Sequence, residues 1–403
     1  MTISNSARPS DGSQSQPPMP WVLITATCLA TFAITASGST RAPFLIHMAE
    51  DLDVNLASVA NLFGLTSIAW GAASFVAGVG SDRIGRRPFL VGAPIALALA
   101  LVAVAISDSF LSVAIWSTLG GFFCGLFTGV SMAEVASRVV DRQRGRALGW
   151  VMAGQSMTLL IGVPLASWIG ASVGWRGVNL CVAAMSLLSA GAMFATTTSM
   201  ASIAKSVASG PPPSLRNALS GHVIRVLSSI VAERVCFGLA AVYYATFMLQ
   251  TYDLSLEVLA VPLMIFALGN ILGTIGGGQL GDRLHNRMLT FALALLASGA
   301  VALVLFGWQA GVVASSILGF AYMFCNALAR PSLMAALADV PAEVRGTVMG
   351  LNSTVASAGW LAAAALGGLI IASGGFVEFG PWIAALTVVG AALALVGRRQ
   401  RRG

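Results

Sequence analysis

Charged side chains are scarce in this chain, so the few that fall inside apolar stretches mark where chemistry can happen. Asp, Glu, Lys and Arg supply only 9% of its 403 residues. Glu233 and Arg234 nevertheless stand side by side in an apolar run, about 8 residues or roughly 12 Å beyond Arg225. A charge at mid-depth in hydrocarbon costs about 3 kcal/mol, which makes such residues functional candidates by default. A carboxylate there can take up and release a proton, and a guanidinium can hold an anionic group through its fork of donors. Neighbouring helical side chains point about 100° apart, so the two need not pair, and one of them can face a central cavity. The competing explanation is that both lie in a wetted vestibule or snorkel to one. Arg41, about 20 residues into the first apolar run and followed by Pro43, should reach the far end of its helix. There an interfacial anchor is as good a reading as a gate or a substrate contact. Tyr243 and Asn326 could line a cavity, although buried hydroxyls and amides also bind membrane helices to one another. Glu134 and Arg138, one turn apart, suit a salt bridge within a helix.

Other chemistries find no support. His47, His222 and His285 lie near the ends of apolar runs and far apart in sequence, so no metal is expected. Cys28, Cys124, Cys181, Cys236 and Cys325 fall inside apolar runs without CxxC spacing and read as small core residues. No glycine-rich phosphate loop appears, so neither ATP drive nor any cofactor is expected.

The elements that must position these side chains are membrane helices. Hydrophobic residues make up 57% of the chain and its mean hydropathy is +0.85, whereas a soluble domain carries about a quarter charged residues. Apolar runs long enough to span a bilayer start near Trp21, Leu56, Pro88, Leu111, Ala147, Gly177, Val226, Leu259, Leu289, Ala310, Thr347 and Phe376. The expected fold is an all-α membrane protein of twelve transmembrane helices in two pseudo-symmetric six-helix bundles. Its segments are a disordered tail at 1–20, a first bundle at 21–199, a linker at 200–218, a second bundle at 219–397 and a basic tail at 398–403. Nearly all of the 22 Lys and Arg residues, Arg330 and Arg345 among them, count to one face, while acids such as Glu50, Asp51 and Asp253 count to the other. By the positive-inside rule the basic face is cytoplasmic and both termini lie inside. The pI near 9.7 then reports topology and contact with the lipid bilayer, not nucleic acid. Low Lys beside abundant Arg and Ala hints at a GC-rich bacterium, hence an inner membrane.

One polar cassette occurs twice, as Gly78-Val-Gly-Ser-Asp82-Arg83-Ile-Gly85-Arg86-Arg87 and as Gly278-Gln-Leu-Gly-Asp282-Arg283-Leu-His285-Asn286-Arg287. A second echo, Arg144-Gly145-Arg146 against Arg345-Gly346, recurs at nearly the same offset. Two motifs at one offset indicate duplicated halves. The cassette resembles the signature loop of the major facilitator superfamily, in duplicate and within a six-plus-six pattern. Gly78 and Gly85 allow close backbone approach, and Asp82, Arg83 and Arg87, with Asp282 and Arg283 in the second copy, can form a conformational latch. The second latch should be weaker, because His285 and Asn286 replace Gly85 and Arg86. Gly162-Val-Pro164-Leu in the fifth run is similar to the motif of drug:proton antiporters, and closer to that of arabinose-efflux-like permeases. Gly162 and Pro164 would let that helix kink. Two departures stand out: Ser117 occupies a position where many exporters of the superfamily carry Arg, and the first run has no acid.

The resemblance implies a secondary transporter of a small organic solute, working by alternating access and as a monomer, and not an enzyme. Proton-coupled efflux is the first expectation, with Glu233 as the protonated group and Arg234 for substrate or charge balance. Uptake of a small organic anion or vitamin, motivated by Arg41 and Arg234, is the alternative. A membrane sensor or a membrane-embedded enzyme comes last, because the chain shows neither a soluble output domain nor clustered His, Asp or Cys.

Overall fold

The computed structural model describes residues 19–197, 221–283, 286–338 and 342–396. The linker 200–218, the tail 398–403, most of the tail 1–20, and Asp339 lie outside them, as do the side chains at Gly78, Asp82, Asp282, Arg283 and Glu343. The helices are α1 (Trp21–Ser39), α2 (Leu45–Asp51), α3 (Leu56–Ile84), α4 (Arg87–Ala105), α5 (Phe110–Ser137), α6 (Asp141–Met157) and α7 (Val163–Thr196) in the first half. The second half contains α8 (Gly221–Tyr252), α9 (Leu256–Arg283), α10 (Arg287–Trp308), α11 (Val312–Ala338), α12 (Ala342–Gly374) and α13 (Phe379–Val396).

Among the described residues, eleven helices are long and apolar enough to cross a bilayer, and one of them, Gln143–Thr196, runs for 54 residues. Unbroken, it would extend about 80 Å, far more than a bilayer's thickness. Its backbone leaves the helix at Gly174, where φ is 67° and ψ is 178°, a conformation that only glycine adopts without strain. The turn there makes two spans of one stretch, and the total is the expected twelve. Asp51 fastens this turn to the end of α2, accepting from Trp175 Nε1 at 2.8 Å and Arg176 Nη1 at 2.9 Å.

Proline interrupts two other spans. The first divides into α1 and α2 around a 3-10 turn at Ala42–Phe44 that contains Pro43. The fifth passes from α6 through a π turn, Thr158–Gly162, into α7, with the Val163 N–H reaching the Thr158 carbonyl. Pro164 has no N–H to give the preceding turn, and the wider π turn accommodates the loss. Gly162 packs on the Phe32 ring of α1 there.

Two glycine seams hold the halves together internally. On α5, Gly121, Gly125 and Gly129 lie against the Thr66, Trp70 and Ser74 carbonyls of α3. On α9, Gly269, Gly273 and Gly277 lie against the Phe320, Phe324 and Leu328 carbonyls of α11. The second and fourth spans of each half pack backbone to backbone, as small residues permit, but the glycines have changed partner between halves. The halves meet where α3 runs along α12: Ala57 lies on Gly368, Phe63 stacks on Trp360 at 6.3 Å, Gly64 meets Leu361 and Gly71 meets Ser357. On the same side, Ser167 of α7 donates to the Leu256 carbonyl of α9 at 2.6 Å. These contacts extend from the face opposite the Asp-Arg loops to about mid-depth.

The cysteines correct one expectation. Cys124 and Cys236 are buried, but Cys28 and Cys325 are half-buried and Cys181 is exposed. A helix that is apolar all round gives no period by which to place a small thiol.

Candidate functional site

An aromatic cage lies on the junction of the two halves. The first half contributes Ser39 and Ala42 beside the break in the first span, Phe63 of α3, Leu159 of the π turn and Val163 of α7. The second half contributes Phe237, Ala241 and Tyr244 of α8, Leu263, Phe266 and Ala267 of α9, Met323 of α11 and Trp360 of α12. Its volume is about 40 Å³. Tyr244 stacks on Phe266 at 4.4 Å and donates its hydroxyl to the Ser315 carbonyl, so its ring is fixed as a wall.

One turn along α8 toward the Asp-Arg loops lies an ion triad. Glu233 is 1% exposed. Its Oε1 accepts from Arg330 Nε at 3.3 Å and Nη2 at 3.1 Å, and its Oε2 lies 3.4 Å from Arg234 Nε. Glu233 and Arg234 therefore do pair, although adjacent helical positions point apart, because both side chains are long enough to bend toward each other. Arg330 corrects the sequence reading, which had counted it to the basic surface. It lies inside α11, which continues through Pro331 to Ala338, and its guanidinium covers the Phe237 ring at 4.7 Å. Phe237 in turn meets Trp360 edge-on at 5.5 Å, which links triad to cage. Asn326, one turn above Arg330, is 0% exposed and neither amide atom has a partner.

Arg41 lies in the break between α1 and α2, ahead of the 3-10 turn. It is 4% exposed, so it is no interfacial anchor. Its Nη1 donates to Thr66 Oγ1 at 3.1 Å, its Nε is unpartnered, and Ala42 next to it and Ser39 two residues before it line the cage. Tyr243 does not line it: this side chain is buried between α8 and α12, with its hydroxyl donated to the Ala364 carbonyl at 2.7 Å. The wall residue is its neighbour Tyr244.

The charged loop forms a separate cluster. Gly85 ends α3 with φ at 85°, in the region that favours glycine. Arg86 donates to the Ala133 carbonyl at 3.1 Å and to Ser137 Oγ at 2.8 Å, and meets Glu134 at 3.3 Å. Glu134 also pairs with Arg138 at 2.7 Å, the expected bond within α5. Arg87 lies over the Phe194 ring at 4.4 Å, and Arg83 is exposed. In the second half Arg287, the counterpart of Arg87, donates to the Ala335 carbonyl at 3.5 Å, while Asn286, in the place of Arg86, caps α10 by accepting from the Leu289 N–H. Sequence reasoning missed Arg330, Arg86 as the arginine that grips α5, and the cage. The available signal for Arg330 was a charge preceding a proline in a run that stays apolar beyond it.

The sequence model of the Major Facilitator Superfamily matches residues 27–329 and, separately, 226–402. The chain is 24% identical over 388 residues to the Inner membrane transport protein YdhP of Escherichia coli K12, covering 94% of this chain and 95% of that one. It is 26% identical over 294 residues to a Chloramphenicol resistance protein of Streptomyces lividans, covering 72% and 73%. The crystal structure of a D-xylose-proton symporter superposes with a TM-score of 0.78 at 15% identity, over 94% of this chain and 97% of the other, a likeness of fold alone. The two matches together cover nearly the whole chain, and the cage takes its walls from both halves. The chain belongs to the Major Facilitator Superfamily and is a multi-pass membrane transporter, not an enzyme.

Proposed function

We propose that this protein exports a small organic solute with an apolar, ring-bearing body, by proton-coupled alternating access, and that the aromatic cage is its substrate seat. The carrying observation is position: walls from both halves close on one space, with a buried ion triad one turn away. About 40 Å³ holds a water or two, against several hundred Å³ for a typical ligand site. The halves must therefore part before a solute can enter.

Glu233 supplies the coupling. Ionised, it holds Arg234 of its own helix and Arg330 of α11 together; protonated, it loses the charge that holds them. Leaving a buried charge unpaired is costly, so the two protonation states favour different packings of α8 against α11. The positive-inside rule makes the face with the Asp-Arg loops cytoplasmic, in an inner membrane, with both termini inside. Export is favoured by the Gly162-Val-Pro164 break, which resembles that of efflux permeases, and by the similarity to the Chloramphenicol resistance protein of Streptomyces lividans. One chain suffices, since the cage takes its walls from the two halves of a single polypeptide.

Everted membrane vesicles with an acidified interior should accumulate radiolabelled 2-naphthamide or 2-naphthoate. Glu233→Gln should reduce this to the level of vesicles lacking the protein, at equal protein content. Unchanged accumulation by the variant would overturn the coupling role, and accumulation only in right-side-out vesicles would reverse the direction.

A further inference from the structure

Arg41 differs from the described arginines that hold an ion pair. Arg86 and Arg138 share Glu134, Arg176 has Asp51, and Arg234 and Arg330 share Glu233. Arg41 is more deeply buried than any of these, yet among the described residues no carboxylate lies within ion-pair reach of it. A guanidinium has five N–H donors; here one bond goes to the Thr66 hydroxyl and the Nε has no partner. The free carbonyls ending α1 offer at most about half a unit of negative charge. Burying a full cation without a counter-charge is among the most costly arrangements in a protein, and the missing charge is most simply one that arrives.

Its place says where that charge would come from. Ser39 and Ala42, on either side of Arg41, line the cage, and Thr66 lies one turn along α3 from Phe63, another wall. Around the cage the described charges are Glu233 against Arg234, Arg330 and Arg41, an excess of positive charge beside walls of Phe63, Phe237, Tyr244, Phe266 and Trp360. We infer that the transported solute is an amphipathic organic anion, with its ring body in the cage and its carboxylate seated on Arg41. This rests on the reading of the cage as substrate seat. It adds a sign of charge, which the apolar walls alone do not specify, and it makes each transport event move negative charge.

The test is binding to the purified full-length protein in detergent, read by quenching of Trp360, with Trp360→Phe as the control that assigns the signal. Three probes share one ring system: 2-naphthoate, neutral 2-naphthamide and cationic 2-naphthylmethylamine. The naphthoate should bind about tenfold or more tighter than the amide, as charge-assisted bonds to a buried guanidinium imply, and the amine should bind weakest. Arg41→Gln should abolish the preference while the amide still binds, and Arg41→Lys should keep part of it. Equal binding of naphthoate and amide to the unaltered protein would overturn the anion inference and leave the cage reading intact. Quenching that persists unchanged in Trp360→Phe, or none by any probe, would overturn the cage reading and this inference with it.

Discussion

Glu233, itself buried, carries two guanidiniums, and the strength of such a pair shows in what its loss leaves behind. Removing Arg330 leaves a buried carboxylate with Arg234 alone, so Arg330→Met should destabilise the protein by about 3 kcal/mol. Glu233→Gln with Arg330→Met should cost less than the sum of the single changes by about 1 kcal/mol or more. Denaturant unfolding of the detergent-solubilised protein measures both, and strict additivity would mean that the two groups do not interact. At this scale the sequence was partly legible. A charge inside an apolar run announces itself, which is why Glu233, Arg234 and Arg41 could be named. Arg330 could not, because the proline after it reads as a helix end, whereas membrane helices tolerate proline where neighbouring groups satisfy the freed carbonyl. Nor could Tyr243 be told from Tyr244: in a helix apolar on every side, no period says which of two neighbours faces inward.

Within each half, stability rests on helices packed at backbone distance. A methyl group on Gly273 would fall inside contact distance of the Phe324 carbonyl oxygen, whereas one on Gly276 would meet only the Phe324 ring edge at 4.0 Å. Gly273→Ala should thus lower stability by about 1–3 kcal/mol through overpacking, and Gly276→Ala should be close to neutral; thermal unfolding of the two variants side by side decides it. Equal effects would mean that helix propensity, not the seam, sets the cost. The seams were present in the sequence as glycines four apart, but spacing does not say which neighbour they face. The π turn was half visible. Gly162 and Pro164 signalled a kink, and the missing N–H of Pro164 explains it, but the wider turn also needs Thr158, which donates to the Gly154 carbonyl at 3.1 Å and the Phe32 carbonyl at 3.0 Å.

Across the whole molecule, transport in the proposed cycle requires the α3–α12 contact to open and close. Ala57 and Gly368 touch across that contact near the face opposite the Asp-Arg loops. In a background with the five native cysteines replaced by serine, Ala57→Cys with Gly368→Cys should form a bond on oxidation that stops transport in proteoliposomes, and reduction should restore it. Undiminished transport by the fully cross-linked protein would show that this seam does not move. Exporting an anion would be assisted by an inside-negative membrane, at about 2.3 kcal/mol per charge and 100 mV.

The amino-acid sequence by itself determined the membrane setting, the twelve spans, the duplication and the family, because hydropathy, helix length and a repeated charged cassette are properties of the chain read locally. It also marked the costly residues, since a charge in hydrocarbon is conspicuous wherever its helix goes. Only the tertiary structure decided which charges meet, that Arg330 completes the triad with Glu233, that Arg41 has no carboxylate among the described residues, and that aromatic side chains from both halves close one cage. These are relations between helices far apart in sequence. Helices with apolar surface on every side can rotate and pair in many ways without changing the pattern of residues along any one of them.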